Sequence, residues 1–213
     1  MKTAIVISGE PRTFTDCYPS LDACILSKNK CDIFLHLYED ENTSDVLKVL
    51  SPKIWLIEKK KEVAFDVPSI CETNKPPEVS AFSTMCQWRN IQKAFGLIDD
   101  YYDCVLKTRY DIKYTNPLIL EKYNMDCLNV PIGGDWRGGL FDMLAFGSLR
   151  LMKNYCCLFD RIQQYCESGV PCHSETLNRF NNRNALIHRF DYTVLLRRQF
   201  DRGYIEDRVF TLR

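Results

Sequence analysis

Arg109 and Asp111 are separated by one tyrosine in the segment Leu106-Lys107-Thr108-Arg109-Tyr110-Asp111-Ile112. They follow the buried-type run Tyr102 to Thr108. A carboxylate at a strand end is a ligand for Mg²⁺ or Mn²⁺, which take oxygen donors and share them with substrate phosphates. Such an ion would neutralise charge developing on a diphosphate leaving group. The competing reading is a surface ion pair between Arg109 and Asp111, which stabilises little.

Three further clusters stand at predicted strand ends. Ser8-Gly9-Glu10-Pro11-Arg12 is neither a Walker loop nor a GxGxxG fingerprint. It still offers backbone N–H groups and the Arg12 guanidinium to a phosphate. His36, Tyr38 and Glu39 close a second apolar run. Asp135, Trp136 and Arg137 lie in a glycine-rich loop, Gly133 to Gly139, that allows close backbone approach to a ligand. Asp142 follows that loop and is a candidate to orient or deprotonate a hydroxyl; Asp135 and Glu175 are its rivals. The alternative for Asp142 is a turn or helix cap. Trp136 can stack on a sugar ring or cover the core. His36, His173 and His188 form no defensible Ser-His-Asp order. His173 is a weak candidate for a further metal ligand. Cys166, Cys172 and His173 match no standard zinc spacing.

The elements that must position these residues alternate. Apolar, β-branched runs predict strands at 4–7, 31–38, 54–57, 102–108 and 127–130, with a short one near 144–146. Helices are expected at about 21–27, 44–50 and 80–98, the last with Met85, Trp88, Ile91, Phe95 and Ile98 as its buried stripe. The proline-rich stretch 66–79 reads as an irregular loop. The last third reads as helical: one face from Leu149 to Cys166, a helix capped by Ser174 with Glu175 in its first turn, and a final helix from about Ala185. Residues 204–212 read as a late strand or docked tail. Arg197, Arg198 and Arg202 read as a solvated helix face, and His188 as a residue within that final helix. Alternating strands and helices without a linker or repeat imply one α/β domain with a mixed, mostly parallel sheet. In such sheets ligands gather at the carboxyl ends of the strands, where all four clusters fall.

Composition bounds the partners. The chain has 213 residues, with 28 basic against 28 acidic side chains. That balance supplies no bulk positive field for nucleic acid or an anionic membrane, so an anionic ligand must be held locally. The 11 cysteines are odd in number and contain no CxxC pair. They read as reduced core residues of a cytoplasmic protein. No segment has the apolar length of a membrane span or of a signal-peptide core.

Four segments together resemble the GT-A glycosyltransferases: the opening strand with Ser8 to Arg12, Val105 to Ile112, Asp142-Met143-Leu144-Ala145-Phe146-Gly147-Ser148, and His173-Ser174-Glu175-Thr176-Leu177. More closely, the sequence is similar to viral members implicated in capsid glycan synthesis. The resemblance implies a Rossmann-like, nucleotide-binding half over about 1–115 and an acceptor half over about 116–213. It also implies that the chain is the amino-terminal domain of a longer protein, working in a host-cell cytoplasm. The implied reaction moves a hexose or deoxyhexose from a UDP-sugar to a glycan or glycoprotein hydroxyl, such as a capsid glycan, with Mn²⁺ or Mg²⁺. Asp111 then matches the family's acidic metal-binding motif, although position 109 is Arg where the motif has a second Asp. Arg12 and Arg109 would face phosphates, with Ser8 and Gly9 beside them. His36 and Tyr38 would approach the base or ribose, Trp136 and Arg137 the sugar or acceptor, and Asp142 the acceptor hydroxyl in an inverting transfer. A retaining transfer, a metal-dependent nucleotidyltransferase or sugar-nucleotide hydrolase, and a non-catalytic sugar- or nucleotide-binding module are the alternatives.

Overall fold

A computed structural model describes residues 1–199 and 205–210; for Lys61, Arg198, Gln199 and 205–210 only the backbone is described. In chain order the strands and α-helices are β1 (Thr3–Gly9), α1 (Phe14–Cys24), β2 (Cys31–Tyr38), α2 (Thr43–Leu50), β3 (Ile54–Glu58), α3 (Ser69–Thr73), α4 (Ala81–Phe95) and β4 (Cys104–Thr108). There follow β5 (Ile112–Tyr114), β6 (Leu128–Pro131), β7 (Ala145–Gly147), α5 (Leu149–Cys156), α6 (Ile162–Glu167), α7 (Ser174–Asn181), β8 (Ile187–Phe190), β9 (Val194–Gln199) and β10 (Ile205–Phe210).

Seven strands form one mixed sheet in the order β3-β2-β1-β4-β7-β6-β8. The pairs β3–β2, β2–β1, β1–β4 and β6–β8 are parallel, and β7 runs antiparallel to both of its neighbours. The expected α/β class with a Rossmann-like, mostly parallel sheet is therefore what forms. The two proposed halves share this sheet, because β4 from the first pairs with β7 from the second. A second, three-stranded sheet, β10-β9-β5, lies beside it.

The central strands are buried on both faces, which is why Ala4-Ile5-Val6-Ile7 reads as a continuous apolar run. Helix α4 covers β1 and β2 with Met85, Trp88, Ile91 and Phe95 turned inward. Ser80 caps it, accepting the Ser83 N–H at 3.1 Å. Among the described residues no helix is long and apolar enough to cross a membrane.

Several local expectations are corrected. The first helix starts at Phe14 and ends at Cys24, burying Phe14, Cys17, Leu21 and Cys24 at spacings of three and four; Pro19, which argues for a later start, lies inside it. The stretch 66–79 contains the short helix α3. Ala185 opens no helix: β8 pairs in parallel with β6, and His188 lies on that strand with Nδ1 2.9 Å from Asn129 Oδ1. Phe190 packs against Tyr123 and Phe146, so tertiary aromatic packing overrides the helical reading. The face from Leu149 to Cys166 belongs to two helices broken at Cys157. Arg197 is on β9, ion-paired to Asp16 at 2.7 Å. Residues 205–210 do form a strand, whereas Arg202, Tyr204, 211 and 212 lie outside the described residues.

Candidate functional site

Chain order reverses about β1: β2 and β3 lie on one side of it and β4 on the other. This is the topological switch point at which parallel sheets leave a crevice. A cavity of about 530 Å³ opens there, within the size range of small-molecule sites. Ser8, Gly9 and Arg12 line it from beyond β1, Tyr38 from the end of β2, and Lys107, Arg109 and Asp111 from the end of β4. Gly9 has φ +120°, a conformation open to glycine that turns the chain out of β1 into the cavity wall. Helix α4 closes the other side with Ser83, Cys86, Gln87 and Asn90. Three of the four strand-end clusters thus converge; the Asp135 loop is not part of this wall.

The wall is rich in cations. Among the described residues Arg12, Lys60, Lys107, Arg109 and Arg197 face only two carboxylates, Glu10 and Asp111. Glu10 accepts Arg12 at 2.9 Å and Lys60 at 2.5 Å. Arg109 grips Asp111 through two parallel bonds, Nε to Oδ1 at 2.8 Å and Nη2 to Oδ2 at 2.7 Å. Burial works against the Arg109 charge, but Asp111 more than offsets it, so the guanidinium pKa is raised.

Lys107 differs from these. It is fully buried, and its ammonium donates to the main-chain carbonyls of Asp142 and, at 3.4 Å, Met143. Among the described residues no carboxylate lies within ion-pair distance of it. Burial lowers its pKa to about 8, with Asp142 partly restoring it.

Next to Lys107 is an acidic network. Asp142 is almost fully buried and its Oδ2 accepts Gln87 at 2.6 Å and Ser174 at 2.5 Å. Gln87 also lines the cavity, so it links the carboxylate to the pocket. Glu175 follows in the first turn of α7; burial first, then the Asp142 charge, push its pKa far above the ordinary carboxylate range. Leu140 N–H donates to Glu175 O at 2.8 Å, and a Cβ on Gly139 would meet the Glu175 backbone at 2.4 Å. The glycine at 139 is what lets the loop close onto α7. Ser174 is not a cap: the N-cap position is His173, and the Ser174 hydroxyl is turned to Asp142 instead.

Other expected site residues are placed differently. His36 is fully buried beneath the pocket wall, 2.7 Å from Glu58 Oε2, and is not a lining residue. Burial lowers its pKa against the opposing pull of Glu58. Tyr38 does line the cavity, and its hydroxyl donates to Asn90 at 2.9 Å. Asp135 stitches its own loop, accepting Phe141 N–H at 3.0 Å and Arg189 at 2.7 Å. Trp136 is half exposed, and Arg137 pairs with Glu78 at 2.5 Å. His173 is 3.4 Å from Glu175 and hydrogen-bonded to Thr176.

The donor set around Asp111 does not fit a divalent cation. Both of its oxygens are engaged by the Arg109 guanidinium, and among the described residues it belongs to no cluster of three or more metal-type donors. Among the described residues the one group of that type is Cys71, Cys166 and Cys172, whose sulfurs lie within 4.8 Å of one another and are buried. His173, which neighbours Cys172 in sequence, is not part of it. These are soft donors remote in type from an oxygen-ligand site.

No protein-family model matches the chain, and no curated protein matches it in sequence.

Sequence reading passed over Lys107, Gln87, Asn90 and Lys60. For Lys107 a signal existed: a lysine inside the run Cys104-Val105-Leu106-Lys107-Thr108 is an ionisable group on a strand expected to be buried. For Gln87 and Asn90 there was none, since polar residues on a helix normally mark its solvent face.

Proposed function

We propose that the chain is a glycosyltransferase: it binds a nucleoside-diphosphate sugar at the β1/β4 crevice and moves the sugar to a hydroxyl of a glycan acceptor. The observation that carries this reading is the adjacency of a cation-rich cavity and a buried carboxylate network, joined by Gln87 and Lys107. The cavity wall suits a diphosphate, because the cationic side chains of Arg12, Lys107 and Arg109 belong to it from two strand ends. Tyr38 and Asn90 offer hydrogen-bonding groups to the nucleoside.

The transfer is an inverting displacement. The acceptor oxygen forms a bond to the anomeric carbon while the bond from that carbon to the diphosphate oxygen breaks, its electron pair leaving on the phosphate. The acceptor proton passes to Asp142, which Ser174 and Gln87 hold in one orientation. Lys107 and Arg109 stabilise the charge gathering on the leaving group. Burial and the neighbouring Asp142 raise the Glu175 pKa, so Glu175 adds less negative charge beside that carboxylate than an exposed glutamate would.

UDP-sugars with hexose or deoxyhexose headgroups are the first donors to test, against glycan acceptors, by mass spectrometry of both products. A glycosylated acceptor supports the reading. Release of free sugar alone, with an acceptor present, makes the chain a sugar-nucleotide hydrolase. Binding without turnover makes it a binding module.

A further inference from the structure

Resting on the reading of the cavity as a nucleoside-diphosphate site, we propose that it holds the diphosphate without a divalent metal, with Lys107 and Arg109 supplying the positive charge. Two independent observations lead there. The first is the clamp on Asp111. Both carboxylate oxygens are taken by Arg109, at 2.8 and 2.7 Å, and the pair is only about a quarter exposed. A metal would have to break a bidentate, charge-assisted pair and leave a part-buried guanidinium without its partner, which costs more than an exposed pair would. Among the described residues Asp111 belongs to no cluster of three or more metal-type donors, and Glu10, the other carboxylate on the cavity wall, is paired to Arg12 and Lys60.

The second observation is Lys107. A fully buried ammonium with no carboxylate among the described residues in ion-pair contact carries a desolvation cost that its two carbonyl partners offset only in part. It lies on the cavity wall at the switch point, beside the Arg109 fork. A dianionic diphosphate seated against that wall would meet Lys107 from one side and the guanidinium face of Arg109 from the other. It would supply the counter-charge that the fold itself withholds. Arg12 and Lys60, also on the cavity wall, are paired to Glu10 and add a screened positive field. The wall therefore carries the charge that the cation would otherwise bring, and Asp111 serves to aim Arg109.

The charged and titratable groups that bear on Lys107 are Asp142, Arg109, Asp111 and Cys156. Anion binding adds an opposite charge to this set and favours the ammonium form, so binding near pH 8 draws a proton from the buffer.

The test is titration calorimetry of the full chain with UDP, once in EDTA and once with saturating Mn²⁺. The expected result is binding in EDTA, with a Kd within about threefold of that in Mn²⁺. Lys107→Met should weaken binding in EDTA by at least about tenfold while melting as one cooperative unit. Titration of the wild-type protein at pH 8, in two buffers of different ionisation enthalpy, requires no variant and should show net proton uptake. Binding that is tightened tenfold or more by Mn²⁺, or no proton uptake, overturns the metal-free site and leaves the sugar-nucleotide reading standing. No binding of UDP, ADP or GDP under either condition removes both.

Discussion

Ser174, the first residue of α7, donates its hydroxyl to Asp142 Oδ2 at 2.5 Å, tying the loop before β7 to the helix that carries Glu175. Gln87 of α4 binds the same oxygen at 2.6 Å, so three elements converge on one carboxylate. A carboxylate held this way loses little orientation entropy on meeting a hydroxyl. If Asp142 takes the acceptor proton, Asp142→Asn should lower kcat by about 10²–10⁴-fold while UDP affinity stays within a few-fold. Steady-state transfer rates paired with calorimetry decide it; equal losses of rate and affinity would make Asp142 a structural residue.

Glu175 gives a pH signature of its own. Its folded pKa is raised, by burial and then by Asp142, so the folded state holds the proton more tightly than the unfolded chain does. The sign follows: its stabilisation is fully present below the ordinary carboxylate pKa and is lost as pH rises through the raised value. Glu175→Gln carries no such proton. Wild-type stability should therefore fall relative to the variant between about pH 4.5 and 8, by on the order of 1–3 kcal/mol. Urea midpoints measured across that window check this, and parallel curves would contradict it.

How much of this was legible in the sequence depends on which force places each residue. Strand β1 is buried on both faces and leaves an unbroken apolar run from Ala4 to Ile7, and β2 is apolar from Ile33 to Tyr38 apart from His36. Ser8, Arg12, Tyr38, Arg109 and Asp111 could be brought together from the sheet rule alone, because position along a parallel strand decides which edge a residue reaches. The helix expected from Ala185 failed for the opposite reason. Ile187 to Phe190 owes its strand to a parallel partner, β6, some sixty positions away and to packing against Tyr123 and Phe146, none of which a local window holds. His36 was misplaced because alternation tells which face a side chain takes but not whether another element covers it; here Glu58 of β3 meets it. The clamp of Arg109 on Asp111 was visible as a rival reading, and the structure selects it over free carboxylate oxygens.

Glu58 anchors the neighbouring elements. It accepts Arg89 twice, at 2.8 and 3.0 Å, Lys93 at 2.6 Å and His36 at 2.7 Å, linking β2, β3 and α4. Arg89 above all, with Lys93 and His36, holds its pKa far below the ordinary carboxylate range against the opposing effect of burial. A depressed pKa contributes stability above the unfolded value that is lost as pH falls toward the folded one. Stability should thus decline below about pH 4.5. Glu58→Gln should cost about 2–4 kcal/mol at pH 7 by leaving Arg89 and Lys93 facing each other, and should flatten the acid limb. Chemical denaturation of both proteins at pH 7 and pH 3 measures the two effects, and an acid limb unchanged in the variant would assign it to other carboxylates.

The thiols provide a test of packing that is independent of any ligand. All 11 cysteines are free; Cys31, Cys86 and Cys157 are partly exposed and the other eight are buried. Burial pushes Cys71, Cys104 and Cys17 up to about 12, far from the thiolate form that reacts. Cys71, Cys166 and Cys172 are also locked between α3 and α6, where Cys172 N–H donates to Asn74 O at 2.7 Å and the Asn74 amide donates to Val170 O at 2.9 Å. Thiol titration of the native protein should therefore show at most three fast-reacting groups, with all 11 appearing in guanidinium. Mass mapping should find label first on Cys31, Cys86 and Cys157. Cys86 lies on the cavity wall, so saturating UDP should slow its labelling while leaving Cys31 and Cys157 unchanged. Early labelling of Cys71 would show that the α3–α6 contact opens in the native state, and a Cys86 rate indifferent to UDP would place the nucleotide elsewhere.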